Sequence, residues 1–146
     1  MNNLKQSLNE LLSDLNIFFR KLQNYHWNVE GMDFFIIHEK LEEYYNEVNV
    51  SIDEIAEHIL ILGGQPLGTM EDYLNIGTIV EAKNEKIKSE ALLHNLINDF
   101  GMLLKKVIQI KEEADKQNQY GTSSLMDEYI LEYEKKIWML KQITNK

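Results

Sequence analysis

The sequence predicts an all-α fold, a four-helix bundle with one long crossover connection. Apolar residues recur at spacings of three and four along most of the chain, the periodicity of helices that bury one face. One proline and seven glycines in 146 residues leave few breaks in this pattern. The hydrophobic content of 44% is enough for one core, and no repeat or linker divides the chain. We therefore expect a single domain over residues 1–146.

The first helix is predicted from an apolar stripe that begins at Leu4. His26 lies one helical turn beyond Leu22, so it continues this stripe at the C-terminal end of the helix. The segment "VEGMD" then interrupts the pattern, because Gly31 suits a helix end and Asp33 can cap the next helix. The stripe consists of Leu4, Leu8, Leu11, Leu12, Leu15, Phe18, Phe19 and Leu22.

The second helix is predicted to begin near Phe34 and to end at "GGQPLG", residues 63–68. Its apolar positions are Phe34, Ile37, Leu41, Tyr44, Tyr45, Val48, Ile52, Ile55 and Ile59. Thr69 can then begin a short helix, with Asp72 at the partner position of a capping box. This short helix would lie in the crossover between the second and third long helices.

The third and fourth long helices complete the predicted bundle. The third is expected from about Val80 to Ala114, with Ile87, Leu93, Ile97, Phe100, Leu104, Val107 and Ile110 facing inward. "KQNQYGTSS" is predicted to be a polar loop in which Thr122 or Ser124 caps the fourth helix. That helix would bury Met126, Ile130, Tyr133, Ile137 and Leu140.

Composition excludes several classes of function. The chain has no cysteine, which excludes disulfides, thiolate metal sites and a cysteine nucleophile. The net charge of −9 argues against a nucleic-acid partner and favours the attraction of cations. The first residues do not read as a signal peptide, and no apolar run approaches the roughly 20 residues that span a bilayer. We expect a cytoplasmic protein without a membrane partner.

A set of polar residues on the second helix is the strongest indication of chemistry. His38, Glu42, Asp53 and Glu57 fall within an arc of about 100°, beside the apolar stripe. Asp53 and Glu57 are four residues apart, so both carboxylates can reach one cation. Imidazole and carboxylate ligands suit divalent iron, manganese or zinc. Taken singly, the carboxylates also fit a solvated helix face, and each histidine, His26 included, fits a hydrogen-bonded structural role.

The spacing of these residues determines where a metal site can form. On one continuous helix His38 and Asp53 lie about 22 Å apart, whereas a metal–ligand bond is only about 2 Å long. Two antiparallel copies of the helix would bring the histidine end of one to the carboxylate end of the other. The residues are therefore either unrelated or part of a site between subunits. The sequence also lacks the Glu-x-x-His motif of metal sites inside one bundle.

The sequence resembles the Dps family, the ferritin-like mini-ferritins that oxidise and store iron. The resemblance rests on the spacing His26-x11-His38-x14-Asp53-x3-Glu57 within "HWNVEGMDFFIIHEKLEEYYNEVNVSIDEIAEHILILGGQPLGT". "EKKIWMLK", residues 134–141 in the last helix, adds to it, and the resemblance covers essentially the whole chain.

The resemblance implies a homo-dodecameric hollow shell whose ferroxidase centres lie at two-fold interfaces. His26 and His38 of one subunit and Asp53 and Glu57 of its neighbour would bind two irons per site. The resemblance also implies oxidation of Fe(II), preferentially by hydrogen peroxide although dioxygen also serves. Ferric mineral would be stored in the cavity, which protects against oxidative stress. Other divalent metals such as zinc could substitute for iron.

Individual roles also follow from the resemblance. Glu57 would bridge or anchor the iron, Asp53 and His38 would complete its coordination, and His26 would bind a second, weaker iron. Trp27 resembles the family's tryptophan near the site, which takes up a stray oxidising equivalent. It would otherwise only pack at a helix end.

The sequence departs from the family at several positions. Glu42 stands where aspartate is common and would have an accessory metal role, and His58 stands where arginine is common. Ser124 replaces a frequent acid, which leaves Asp127 and Glu134 to line the pore through which iron enters. DNA-binding members carry lysine-rich tails, whereas only residues 1–3 precede the first helical leucine and the last residues are "KQITNK". We therefore expect no appreciable direct DNA binding.

Two other functions compete with this prediction. A non-catalytic cage that binds DNA or another partner would keep the shell without iron chemistry. A plain helical bundle with surface carboxylates would form a small oligomer and bind no metal tightly.

Overall fold

Four long helices and one short helix form the part of the chain that the computed structural model describes, residues 2–144. The helices are α1 (Asn2–Asn28), α2 (Phe34–Ile61), α3 (Met70–Ile76), α4 (Ser89–Lys116) and α5 (Tyr120–Thr144). Two short strands, β1 (Val29–Glu30) and β2 (Ile87–Lys88), pair in parallel. The predicted all-α bundle with a short helix in its crossover is confirmed. The terminal residues that entered the tail prediction, Met1 and 145–146, lie outside the described residues.

The core forms where the apolar stripes of the long helices meet. Helix α1 packs along α2, α4 packs along α5, and α1 also contacts α4. Phe18 and Phe100 are fully buried and meet edge to face at the centre of the bundle, with ring centroids 5.1 Å apart. The predicted stripe of α1 is buried throughout, apart from a partly buried Phe19. None of the helices in residues 2–144 is both long and apolar enough to span a bilayer.

The crossover between α2 and α4 is held by one buried carboxylate. Asp14 of α1 accepts hydrogen bonds from the backbone N–H groups of Thr78 (2.6 Å) and Ile79 (2.9 Å) and from the Thr78 hydroxyl (3.0 Å). Thr69 caps α3 as predicted, because its hydroxyl accepts the N–H of Asp72 at 3.2 Å. These contacts fix the path of a long connection that has little regular structure.

The predicted start of the third long helix is wrong. Helix α4 begins at Ser89 rather than near Val80, and residues 80–88 are extended or bent. Ile87, which was expected on the inner face of the helix, pairs with Val29 in the β1–β2 ladder. The apolar spacing of this segment resembles a helix, but pairing with β1 satisfies its backbone groups instead.

The predicted cap of the fourth long helix is also wrong, and the predicted cap of the second makes no side-chain hydrogen bond. Helix α5 begins at Tyr120, so Thr122 and Ser124 lie inside its first turns instead of capping it. The expected long loop shrinks to residues 117–119 because Asn118 adopts a positive φ of 57°, which turns the chain sharply after α4. Asp33 does occupy the N-cap position of α2, but its side chain makes no capping hydrogen bond.

Candidate metal centre

Two histidines meet where α1 ends and α2 begins. Nδ1 of His26 lies 2.7 Å from the carbonyl oxygen of His38, and Nδ1 of His38 lies 2.7 Å from the carbonyl oxygen of His26. The two rings stack with centroids 3.7 Å apart and an angle of 9°. A carbonyl only accepts hydrogen bonds, so each Nδ1 must carry the proton. The backbone contacts therefore involve Nδ1 alone and do not use Nε2, the arrangement of a metal-ligating histidine.

Neighbouring side chains hold the two rings in place. The ring of Phe34 stacks on His38 with centroids 4.8 Å apart, and Tyr45 contacts His26 edge to face at 5.4 Å. Oε1 of Glu42 lies 3.8 Å from Nε2 of His26 and 3.4 Å from the hydroxyl oxygen of Tyr45. His26 itself is buried. The Glu42 carboxylate thus lies close to Nε2 of His26, the ring nitrogen that contacts no backbone carbonyl.

The short connection between α1 and α2 brings the histidines together. Val29 and Glu30 pair with Ile87 and Lys88, and the Lys88 ammonium forms an ion pair with Glu30 at 3.0 Å. Gly31 then turns the chain with φ of 153°, a value that favours glycine. A Cβ at Gly31 would also lie only 3.0 Å from Oγ of Ser89. The chain can therefore return directly into α2 beside the end of α1.

The predicted carboxylate ligands lie at the opposite end of α2. Asp53 and Glu57 are exposed and line one shallow cavity with His58 of the same helix and Leu125 of α5. Helix α2 is continuous, so this carboxylate pair is about 22 Å or more from His38 at 1.5 Å per residue. One copy of the chain thus carries two separate halves of the predicted site.

A single chain does not assemble a metal centre from these residues. Within residues 2–144, no group of three or more His, Asp or Glu side chains is arranged to hold a metal ion. The structure brings His26 and His38 together with Glu42, and it brings Asp53 together with Glu57. It does not bring the two groups together.

Comparison with known proteins identifies the family. A family model described as a ferritin-like domain matches residues 5–146. The "DNA protection during starvation protein 2" of Bacillus anthracis is 40% identical over 138 residues, which cover 94% of each protein. This chain belongs to the Dps family. The resemblance read from the spacing of the histidines and carboxylates is thereby confirmed at the level of the family.

Solved structures agree with a Dps fold. The antigen TpF1 of Treponema pallidum superimposes with a TM-score of 0.97 and 31% identity over 99% of this chain and 93% of that one. A Dps protein of Vibrio cholerae, described as a member of the ferritin-like di-iron-carboxylate superfamily, gives a TM-score of 0.93 and 37% identity. It matches 97% of this chain and 88% of its own.

The other residues predicted from the Dps resemblance lie apart from the histidine pair or at its margin. Trp27 follows His26 and is 56% exposed, and its role beside the site stays a prediction. Asp127 forms an ion pair with Lys111 at 2.9 Å, while Glu134 is exposed on α5. Asp127 is therefore partly neutralised within the monomer, and its role in a pore stays a prediction.

His58, which follows Glu57, makes a contact within the chain. Its Nε2 lies 2.7 Å from the hydroxyl oxygen of Thr122 on α5. Burial lowers the pKa of His58, which favours its neutral imidazole. This contact joins α2 to α5 where an arginine salt bridge would be expected from the family pattern.

Sequence reasoning missed three side chains around these groups. Tyr45 lies seven residues after His38 on the same helical face, so the helical period could have revealed it. Tyr129 donates its hydroxyl proton to the carboxylate of Glu54, a contact between distant parts of the chain that no local spacing shows. Burial raises the pKa of Tyr129 well above its usual range, and this hydrogen bond raises it further.

Proposed function

We propose that the chain is a ferroxidase and iron-storage protein of the Dps family. Two Fe(II) ions would bind where His26 and His38 of one copy meet Asp53 and Glu57 of a second copy. Hydrogen peroxide would be the preferred oxidant, although dioxygen can also serve. Ferric mineral would collect inside a hollow shell of twelve copies, and the cell would be protected from oxidative stress. A cytoplasmic location remains a prediction.

The observation that carries the proposal is the reciprocal bonding of the two histidines. Each imidazole donates a hydrogen bond from Nδ1–H to the other's backbone carbonyl, which leaves Nε2 available for a ligand. The two Nε2 atoms, with the Glu42 carboxylate beside that of His26, are the kinds of ligand that bind divalent iron. The same donors accept zinc or manganese, so these ions could substitute.

The exposed face of α2 supports a two-fold interface. Phe35 at one end of this face is 82% exposed, and Ile61 at the other end is 77% exposed. Placing His38 of one antiparallel copy against the partner copy's Glu57 also brings Phe35 close to Leu60. Large apolar side chains that would be exposed in the monomer are then covered, which stabilises the pair. One register thus satisfies both the metal ligands and the apolar ends.

The chemistry requires two electrons for each peroxide. Two Fe(II) ions give one electron each, two protons are taken up, and the O–O bond breaks to leave two water molecules. Asp53 and Glu57 would neutralise the positive charge that grows on the irons, while the histidines would fix the iron positions. Reduction of peroxide in one two-electron event releases no hydroxyl radical.

Charge distinguishes this function from binding to DNA. Each copy carries a net charge of −9, so a closed shell would repel phosphate groups rather than attract them. We expect no appreciable direct DNA binding at physiological salt, although related proteins are named for DNA protection. A stable sub-micromolar complex in a gel shift at low salt with metal-free protein would contradict this expectation.

Iron oxidation kinetics test the proposal directly. Metal-free protein is titrated anaerobically with Fe(II), hydrogen peroxide is added, and ferric absorbance is followed. We expect rapid oxidation beyond the bound equivalents in the wild type and slow oxidation in His38→Ala and Asp53→Ala. Glu71→Gln, which removes an exposed carboxylate on α3, serves as the control and should oxidise iron normally. Wild-type oxidation no faster than in buffer would favour a non-catalytic cage.

Mixed assemblies test whether the ligands come from different copies. His38→Ala and Asp53→Ala chains are combined by dissociation and reassembly. Interfaces that pair the two variants contain one site lacking both altered ligands and one intact site. Activity should therefore rise above that of either variant alone. No recovery in verified mixed assemblies would contradict a site shared between copies.

A further inference from the structure

Three aromatic rings form one stack at the proposed histidine ligands. The ring of His38 has its centroid 3.7 Å from that of His26 and 4.8 Å from that of Phe34, with interplanar angles of 9° and 19°. Two rings cannot occupy the same face at these distances, so His26 covers one face of His38 and Phe34 covers the other. Phe34 contributes no ligand atom, and the proposed ferroxidase chemistry gives it no role.

The spacing on α2 places Phe34 against His38. Phe34 is the first residue of α2 and precedes His38 by four residues, so the two side chains lie one above the other on the same helical face. Side chains of a helix lean toward its N-terminus, which brings the imidazole of His38 over the phenyl ring. Phe34 is partly buried, and the ring of Phe35 contacts it edge to face at 5.5 Å. The outer ring of the stack is thus held by the geometry of the helix.

On the other side of the stack, the two histidines hold each other through the backbone. The carbonyl of His26 is among the last four of α1, which lack a helical N–H partner, and Nδ1–H of His38 supplies that donor at 2.7 Å. The carbonyl of His38 lies within α2 and accepts Nδ1–H of His26 at 2.7 Å with its second lone pair. A ring that leaves the stack therefore loses its own hydrogen bond and removes the surface on which the other ring rests.

This arrangement determines where the two Nε2 atoms lie. A half-turn of an imidazole about the bond to its ring places a carbon atom where Nε2 was. The hydrogen bond from Nδ1 selects one of these two orientations, and the stack prevents the ring from tilting out of it. A ligand that is already oriented loses less conformational entropy when it binds a metal ion. Phe34 completes this restraint because it closes the face of His38 that His26 leaves open.

We propose that Phe34 is a positioning residue of the iron site, acting through His38 on both histidine ligands. The inference rests on the proposed ferroxidase function. Phe34 restricts His38 to one orientation, and His38 in turn restricts His26 through the stack and the reciprocal hydrogen bonds. Among residues 2–144, the rings that contact Phe34 are those of Phe35 and His38. Loss of the Phe34 ring should therefore disorder an imidazole that this ring does not contact.

Two neighbouring aromatic residues do not have this position. Tyr45 meets His26 edge to face, with an interplanar angle of 79°, so it does not extend the stack. Phe19 is partly buried like Phe34, but its ring contacts Tyr45 at 5.9 Å rather than a histidine. Phe19→Leu is therefore the matched control, because it removes a phenylalanine ring from the same region and leaves the stack in place.

Nuclear magnetic resonance of metal-free protein tests the orientation of the rings. Sedimented assemblies labelled with ¹³C and ¹⁵N are measured under magic-angle spinning, and the four histidines give few ring-nitrogen signals. In the wild type we expect one sharp set of signals each for His26 and His38, with both Nδ1 protons protected from exchange with water. Phe34→Leu should broaden or split both sets and speed up this exchange. Phe34→Tyr keeps the ring and should restore both, while Phe19→Leu should change neither.

Metal binding measures the consequence for the site. Anaerobic calorimetry with Fe(II) should show about 10-fold weaker binding of the first ion in Phe34→Leu, the usual cost of losing a group that orients a ligating histidine. Phe34→Tyr should recover most of this affinity. Gel filtration and circular dichroism establish that each variant keeps its assembly and its helices. If Phe34→Leu does not assemble, Phe34→Met takes its place, since it fills similar space with a flexible chain.

The outcomes separate this inference from the proposed function. Sharp signals for both histidines in Phe34→Leu, or equal broadening in Phe19→Leu, overturn the inference alone. A change at His38 without one at His26 also overturns it, because Phe34 would then only pack locally. A wild type that shows the expected signals but neither binds nor oxidises Fe(II) overturns the ferroxidase function instead.

Discussion

At the scale of single residues, the two histidines show how backbone and side chain cooperate. The sequence identified His26 and His38 as candidates but left open whether they are structural or ligating. The structure shows that they are hydrogen-bonded, and that these bonds use Nδ1 and leave Nε2 free. The bonding partners are backbone carbonyls, which every residue carries, so no sequence pattern could have revealed them. The structural and ligating interpretations of these histidines therefore do not exclude each other.

The position of Glu42 predicts its contribution to the weaker iron. Its carboxylate lies 3.8 Å from Nε2 of His26, so Glu42→Gln removes a negative charge beside the position proposed for the second iron. We expect about 10-fold weaker binding of the second Fe(II), with binding of the first unchanged. Anaerobic calorimetry on metal-free protein measures both steps. Glu71→Gln is the matched charge control, and an equal loss at both steps would refute an accessory role.

At the scale of helices and strands, the sequence predicted most of what is regular and missed what depends on distant contacts. The stripe from Leu4 to Leu22 and the break at residues 63–68 are local signals, and both are confirmed. The start of α4 depends on β1, more than fifty residues earlier in the chain. The start of α5 depends on the left-handed conformation of Asn118. Neither the pairing with β1 nor the conformation of Asn118 can be predicted from the spacing of apolar residues.

A buried ion pair between α1 and α4 allows a stability prediction. Nζ of Lys21 lies 2.8 Å from Oδ2 of Asp99, and both side chains are more than nine-tenths buried. Asp99→Leu alone leaves a buried ammonium without a partner and should lower the free energy of unfolding by about 3–5 kcal/mol. Lys21→Met combined with Asp99→Leu should recover most of that loss.

Chemical denaturation followed by circular dichroism measures the free energy of unfolding of these variants. An exposed ion pair serves as the control. Lys40 and Glu43 are 2.7 Å apart on the surface of α2 and about half exposed. Lys40→Met should therefore change the free energy of unfolding by less than about 1 kcal/mol. If Asp99→Leu were equally mild, Lys21 would have to find water or another partner, and the pair would not hold α1 against α4.

At the scale of the whole molecule, one copy of α2 carries two sets of proposed metal ligands, and neither set forms a complete site by itself. The ligand halves lie at opposite ends of α2, and the apolar side chains of Phe35 and Ile61 are exposed at the same two ends. A two-fold axis that joins the ligand halves must cross α2 near its middle, close to Asn46. Spacing alone predicts that these residues are either unrelated or shared between two copies in this way, because the distance along a helix is fixed at about 1.5 Å per residue.

A cysteine near this axis should link two copies to each other. The chain has no cysteine, so Asn46→Cys places one exposed thiol per copy at the predicted crossing point. Helices packed 8–10 Å apart bring such residues within the roughly 7 Å between Cα atoms that a disulfide allows. Glu39→Cys, two turns away on the same face, would hold the paired thiols about 21 Å apart. Under mild oxidation, denaturing gels without reductant should show a dimer for Asn46→Cys and a monomer for Glu39→Cys. The reverse result would require a different register and would separate His38 from the partner copy's carboxylates.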